Sequence, residues 1–142
     1  NWFNFISKTN GSIFFNHSGL TSKSRVSSLD FVKFLNRKET KEVLTPLLKE
    51  QNIYGAYKNE ILEANIRVIA KTGTMHFNRG LAGYITKNGT PQAVFAIFSA
   101  DSKKKDSVPT HQLGNPPGNK KWLKSAKYVE NQILANWAKY YM

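Results

Sequence analysis

Apolar and polar positions change their period along this chain, and the changes mark out its elements. Leu29, Val32 and Leu35, with Phe31 and Phe34 beside them, recur at helical spacing and predict a helix ending near Arg37. Ser27 or Ser28 can cap it, and Ser27 followed by Asp30 has capping-box spacing with Asp in place of Glu. A second helix is expected over 40–50, with Pro46 imposing a late start or a kink. From residue 66 the pattern turns to short apolar runs rich in β-formers, predicting strands at about 66–74, 81–87 and 91–100. Asn88-Gly89 between the last two is a strong hairpin signal, so those strands should be antiparallel neighbours.

Helical spacing returns at the end. Trp122, Ala126, Val129, Ile133 and Trp137 would line one face of a helix over about 120–140. That face needs a sheet to cover, which gives an α+β arrangement: an antiparallel sheet of three strands overlaid by helices, the C-terminal one included. The remaining segments carry weaker signals. Trp2, Phe3, Phe5 and Ile6 suggest the tail of a helix, residues 12–15 a short strand, and residues 16–22 a loop. Residues 51–60 look turn-like, a short helical turn is expected near 60–64, and 101–119, with Pro109, Pro116 and Pro117, is expected as a loop.

Composition narrows the classes. A length of 142 residues fits one domain, and 40% hydrophobic content with 13% aromatics argues for a folded core rather than disorder. The chain opens on Asn1 with no initiator Met and no signal-peptide pattern, so it is expected to be a piece of a longer protein. No apolar run reaches the roughly 20 residues that span a bilayer. Cysteine is absent, which excludes disulfides and thiolate metal sites. The three histidines, His17, His76 and His111, show no ligand spacing, so neither a metal nor a cofactor is expected. The net charge of +12 suits polyanionic partners, among them nucleic acid, anionic lipid and the carboxylate-rich bacterial wall, and equally a lysine-rich solvated surface. No nucleic-acid-binding motif appears and the aromatics fall on apolar faces, so nucleic acid is not an expected partner.

The candidate chemistry sits at the end of the first predicted strand, in Lys71-Thr72-Gly73-Thr74. A lysine there would attract a substrate carboxylate, and two hydroxyls would add donors. Strand alternation sends Lys71 and Gly73 to one face and Thr72 and Thr74 to the other. Both sets serve one ligand only if the strand is an edge and the ligand lies alongside its backbone. Gly73 would then leave room for an extended peptide, and the Thr74 N–H could meet an oxyanion. The plain alternative is a Lys/Thr strand end followed by a turn glycine.

The surrounding order adds weight. Ala70-Lys-Thr-Gly-Thr-Met75, a short gap and Leu81-Ala-Gly-Tyr-Ile-Thr86 resemble the A-K-T-G-T/S-L and L-A-G-Y/F-I/V-T segments of the D-alanyl-D-alanine carboxypeptidase/endopeptidase family, the class C low-molecular-mass penicillin-binding proteins. Asn16-His-Ser-Gly-Leu-Thr21 resembles that family's D-G-S-G-L-S segment. The resemblance covers nearly the whole chain and identifies residues 1–142 as the C-terminal part of one transpeptidase-like domain of the serine β-lactamase and penicillin-binding-protein fold. It implies a serine-type enzyme of the bacterial periplasm or cell envelope that cleaves peptidoglycan stem peptides through an acyl-enzyme and is acylated by β-lactams. On this reading Lys71 is the catalytic lysine, and Thr72, Gly73 and Thr74 bind the substrate, the two threonines at its terminal carboxylate. The Thr74 N–H forms half of an oxyanion hole, and His17, Ser18, Met75 and His76 lie at the rim.

The departures matter as much. The only S-x-x-K spacing is Ser102 to Lys105, after the lysine motif and in a polar stretch, and no S-x-N occurs. One of the family's three catalytic motifs is therefore present. Either the nucleophile lies upstream in the same protein, which makes that missing part a partner of this one, or the chain is a non-catalytic relative. His17 invites a general-base role, with a packed loop histidine as the alternative. Ser18 lacks a base at fixed spacing. Ser22 stands where arginine is common, with Lys23 and Arg25 as the nearest replacements.

Overall fold

A computed structural model describes residues 3, 11–15, 21, 23–54, 62–109 and 114–142. Its elements run α1 (Ser28–Leu35), α2 (Lys38–Leu44), β1 (Lys49–Gln51), β2 (Ile66–Met75), β3 (Asn78–Lys87), β4 (Thr90–Ala100), α3 (Ser102–Ser107) and α4 (Asn119–Tyr141). The protein is α+β, with a single antiparallel sheet in the order β1-β2-β3-β4. The three expected strands are present. The β3–β4 turn has Asn88 and Gly89 both at positive φ (51° and 79°), the left-handed pair that closes a tight hairpin.

Burial on β2 follows the pleat, with Ile66, Val68 and Ala70 buried on one face. With Leu81, Ile85, Phe95 and Ile97 they form the core that receives Leu134 and Ala138 of α4. The opposite face, with Ile69, Ala82, Tyr84, Val94 and Ala96, packs against Leu35, Phe31, Val32 and Phe34 of α1. Tyr84 is fully buried there and donates to the Leu35 carbonyl (2.9 Å), and burial pushes its phenol above the ordinary range. Gly83 leaves no room for a side chain against β2: a Cβ there would stand 2.1 Å from the Ile69 carbonyl oxygen.

Four expectations are corrected. The second helix spans Lys38–Leu44 and has ended before Pro46, which stands just past its cap, where proline cannot continue a helix. Lys49–Gln51 then becomes a fourth strand, invisible to hydrophobic patterning because all three residues are polar. Residues 12–15 make only an isolated bridge, Ile13 to Arg25. The stretch after β4 is not all loop, because Asp101 caps α3 by accepting from the Lys104 N–H (3.1 Å).

The buried line of α4 also differs from the expected stripe. Ala126, Glu130, Leu134 and Ala138 are buried, while Val129 is 51% exposed. The helix is turned so that its single acidic residue faces inward. Three bonds tie α4 to β3 and the turn before it: Asn119 Oδ1 accepts from the Phe77 N–H (2.8 Å), Glu130 pairs with Arg79 (2.8 Å), and the Met142 carbonyl accepts from Lys87. Among the described residues no helix is long and apolar enough to cross a membrane.

Candidate functional site

β2 has two neighbours over three of its ten residues and one over the rest. β3 pairs with all of it, from Ile66↔Lys87 to Met75↔Asn78. β1 reaches only Val68, Ile69 and Ala70. Among the described residues, the outer edge of 71–75 therefore has no strand beside it. Ala70 turns its carbonyl toward the β1 side, where it accepts from Gln51 Nε2 (3.2 Å). Backbone groups alternate along a strand, so Thr72 and Thr74 direct their N–H and C=O groups to that same open edge. Lys71 Nζ already uses one of them, donating to the Thr72 carbonyl (2.6 Å).

A cavity of about 700 Å³ lies along this edge. Lys71, Thr72, Gly73, Thr74 and Met75 form one wall, with Asn78, Gly80 and Phe98 continuing it across the sheet. Ser24, Arg25 and Val26, which lead into α1, and Ser102, Lys105 and Asp106 of α3 supply the rest of the described lining. Lys71 is exposed, and no described carboxylate pairs with it. Lys71, Arg25 and Lys105 against Asp106 give the described lining an excess of positive charge, suited to an anion. Nothing lies within 4 Å of where a Cβ on Gly73 would stand, so the space above it is open. Among the described residues no cluster of three His, Asp or Glu side chains could hold a metal ion.

Thr74 faces the other way. It pairs across the strands with Arg79, whose Nη1 donates to Thr74 Oγ1 (3.3 Å). Arg79 Nε donates in turn to Glu130 Oε2 of α4 (2.8 Å), and both charged residues are buried. The opposite-face expectation for Lys71 and Thr74 thus holds, and the two can meet one ligand only around the open edge. α3 is held over the β2–β3 turn by the Asp101 N–H, which bonds the Phe77 carbonyl (2.9 Å). Lys104 donates to the Asp101 side chain (2.8 Å), which lowers that carboxyl's pKa.

A family model for the D-Ala-D-Ala carboxypeptidase 3 (S13) family matches residues 6–113. The chain belongs to that family. Its members are serine D-Ala-D-Ala carboxypeptidases of the bacterial cell wall, so the chain is related to hydrolases of that kind. Comparison with curated proteins and with solved structures gives no match.

Within this S13 chain the expected site residues fall unevenly. Lys71, Thr72, Gly73, Thr74 and Met75 come together on one wall of the cavity. His76 sits half-buried in the turn that follows and is not part of the described lining. His17 and Ser18 lie outside the described residues. Of the two basic residues after Ser22, Arg25 lines the cavity, whereas Lys23 lies over the Phe15 ring (4.7 Å). Ser102 opens a helix, contrary to the loop expected, and it faces the cavity. Its hydroxyl is exposed and, among the described residues, makes no hydrogen bond to Lys105 or Lys71 that would activate it. Sequence reasoning missed Arg79 and Glu130. The signal for them was present: a lone carboxylate among five lysines on one helix, set between Ala126 and Leu134 at four-residue spacing.

Proposed function

We propose that this chain is the substrate-binding, C-terminal part of a serine D-Ala-D-Ala carboxypeptidase domain acting on peptidoglycan stem peptides in the cell envelope. The observation that carries the reading is the position of Lys71-Thr-Gly-Thr74 on the part of β2 that β1 does not reach, beside a cavity of about 700 Å³. An extended peptide can add to that edge through the Thr72 and Thr74 backbone groups, with its chain passing over Gly73. Its terminal carboxylate is drawn by Lys71 and accepts from the threonine hydroxyls. The scissile carbonyl then lies against the Thr74 N–H, one of the two donors an acyl-transfer oxyanion needs.

Attack on that carbonyl needs an activated serine, and S-x-N and a usable S-x-x-K are absent from these 142 residues. The nucleophile therefore belongs to another part of the same protein. Once it is present, β-lactams acylate it and Lys71 supports the proton transfer. Two measurements test the reading. The 142-residue chain is titrated with a peptide ending in D-Ala–D-Ala and with its C-terminal amide, and the free acid should bind about tenfold tighter. A longer form carrying an S-x-x-K serine is treated with labelled penicillin, with Lys71→Ala abolishing the label. Equal binding of acid and amide would remove the substrate-binding claim. A longer form that stays unlabelled would make the protein a non-catalytic wall-binding relative.

A further inference from the structure

Arg79 and Glu130 have no assigned part in the site, and Glu130 lies outside the residues the family match covers. Their geometry gives them one. Arg79 is 7% exposed and Glu130 is 1% exposed, an ion pair (2.8 Å) withdrawn from water. A buried pair of this kind is on average no more stabilising than apolar residues of the same volume. Its presence among Ala126, Leu134 and Ala138 therefore calls for a reason other than stability. The guanidinium has a second contact, Nη1 to Thr74 Oγ1 at 3.3 Å, and Thr74 is the residue placed above at the substrate's carboxylate.

That contact constrains the hydroxyl. A threonine oxygen both donates and accepts. Arg79 has no acceptor, so in this contact Thr74 Oγ1 must accept, and its own O–H is left to donate elsewhere. A carboxylate can only accept. An arginine behind Thr74 thus fixes the hydroxyl in the one sense that a carboxylate can use, and its charge polarises the O–H toward stronger donation. Glu130 holds the fork of Arg79 so that Nη1 points at Thr74 while Nε is satisfied.

We propose that Arg79 and Glu130 are positioning residues that orient the Thr74 hydroxyl as a donor to the ligand's terminal carboxylate, linking α4 to the binding edge. The proposal rests on the substrate-binding reading of Thr74 and adds to it a cause for the hydroxyl's orientation. Arg79→Lys is the informative variant. The ammonium keeps the charge opposite Glu130 but lacks the planar fork that reaches two partners at once. Glu130→Gln is the second variant, retaining shape and one acceptor.

The chain is measured in three ways: unfolding midpoint, affinity for the D-Ala–D-Ala acid and its amide, and the three-bond couplings of the Thr74 methyl group without ligand. For Arg79→Lys the expected result is a midpoint close to wild type, acid affinity about tenfold lower and amide affinity unchanged. The Thr74 couplings should change from one side-chain rotamer to an average. In a Thr74→Val background Arg79→Lys should cost no further affinity, because the pair acts through that hydroxyl. Unchanged Thr74 couplings in both variants would overturn the proposal and leave the pair a structural one. So would an equal loss for acid and amide. If the wild-type chain fails to prefer the acid, the substrate-binding reading falls, while the ligand-free couplings still decide whether Arg79 and Glu130 set the Thr74 rotamer.

Discussion

The two halves of β2 differ in what surrounds them, and the difference separates a buried half from an open one within one strand. Val68 to Ala70 lie between β1 and β3, and Ile66, Val68 and Ala70 are buried beneath α4. Lys71 to Met75 keep β3 as neighbour but have no strand on the other side among the described residues. In the first half the Ile66 N–H bonds the Glu63 carbonyl, the Ala70 carbonyl accepts from Gln51, and side chains pack beneath. In the second, backbone donors and acceptors face a cavity and a glycine leaves room. An open edge is normally a liability, and a lysine on it is one way proteins discourage pairing with further strands. Here the same lysine borders a cavity of about 700 Å³.

The glycines give the largest test of this comparison. Gly83→Ala would push a methyl to within 2.1 Å of the Ile69 carbonyl, against backbone that cannot yield. The expected loss is about 3 kcal/mol or more, read from the midpoint of chemical unfolding. Leu134→Ala, beneath the buried half, comes next at about 3 kcal/mol, with the open edge at 71–75 unaffected. Gly73→Ala should reverse that pattern. Its methyl meets no protein atom within 4 Å, so unfolding should move by no more than about 0.5 kcal/mol while peptide affinity falls about tenfold. A Gly73→Ala variant that bound peptide normally would show that the ligand does not cross the strand there.

The smallest effect concerns Tyr84, on the α1 face. An unfolded phenol ionises near pH 10 and the buried one above it, so the fold favours the neutral form. Its contribution should be complete below about pH 10 and decline as pH rises through the folded value. Tyr84→Phe should cost about 1 kcal/mol at neutral pH and flatten the alkaline limb of a stability profile. An unchanged alkaline limb would assign that limb to other groups.

Much of this was legible in the sequence because it rests on local rules. Asn88-Gly89 gave the hairpin, the apolar runs gave β2 to β4, and Ser27 gave the cap of α1, accepting from the Asp30 N–H (3.0 Å). The motif drew attention to Lys71 to Thr74, which line one wall of the cavity, and alternation placed Lys71 and Thr74 on opposite faces. What was not legible depends on partners distant in the chain. Lys49–Gln51 becomes a strand only because Ala70, Ile69 and Val68 are opposite it. The inward face of α4 was misjudged at Val129 because periodicity counts a carboxylate as outward, whereas Glu130 turns in to meet an arginine 51 positions earlier. Ser102, Lys105 and Asp106 reach the cavity because Asp101 is bonded to the β2–β3 turn, a contact no local pattern announces.

The ties from α4 to Phe77, Arg79 and Lys87 have a consequence for the order of synthesis. The lysine strand and its hairpin leave the ribosome well before the helix that anchors them. Until that helix emerges, Arg79 lacks the Glu130 carboxylate and the apolar face of the sheet that Leu134 and Ala138 cover is bare. The interval before α4 docks is therefore when a growing chain is most exposed to pairing with the wrong strand.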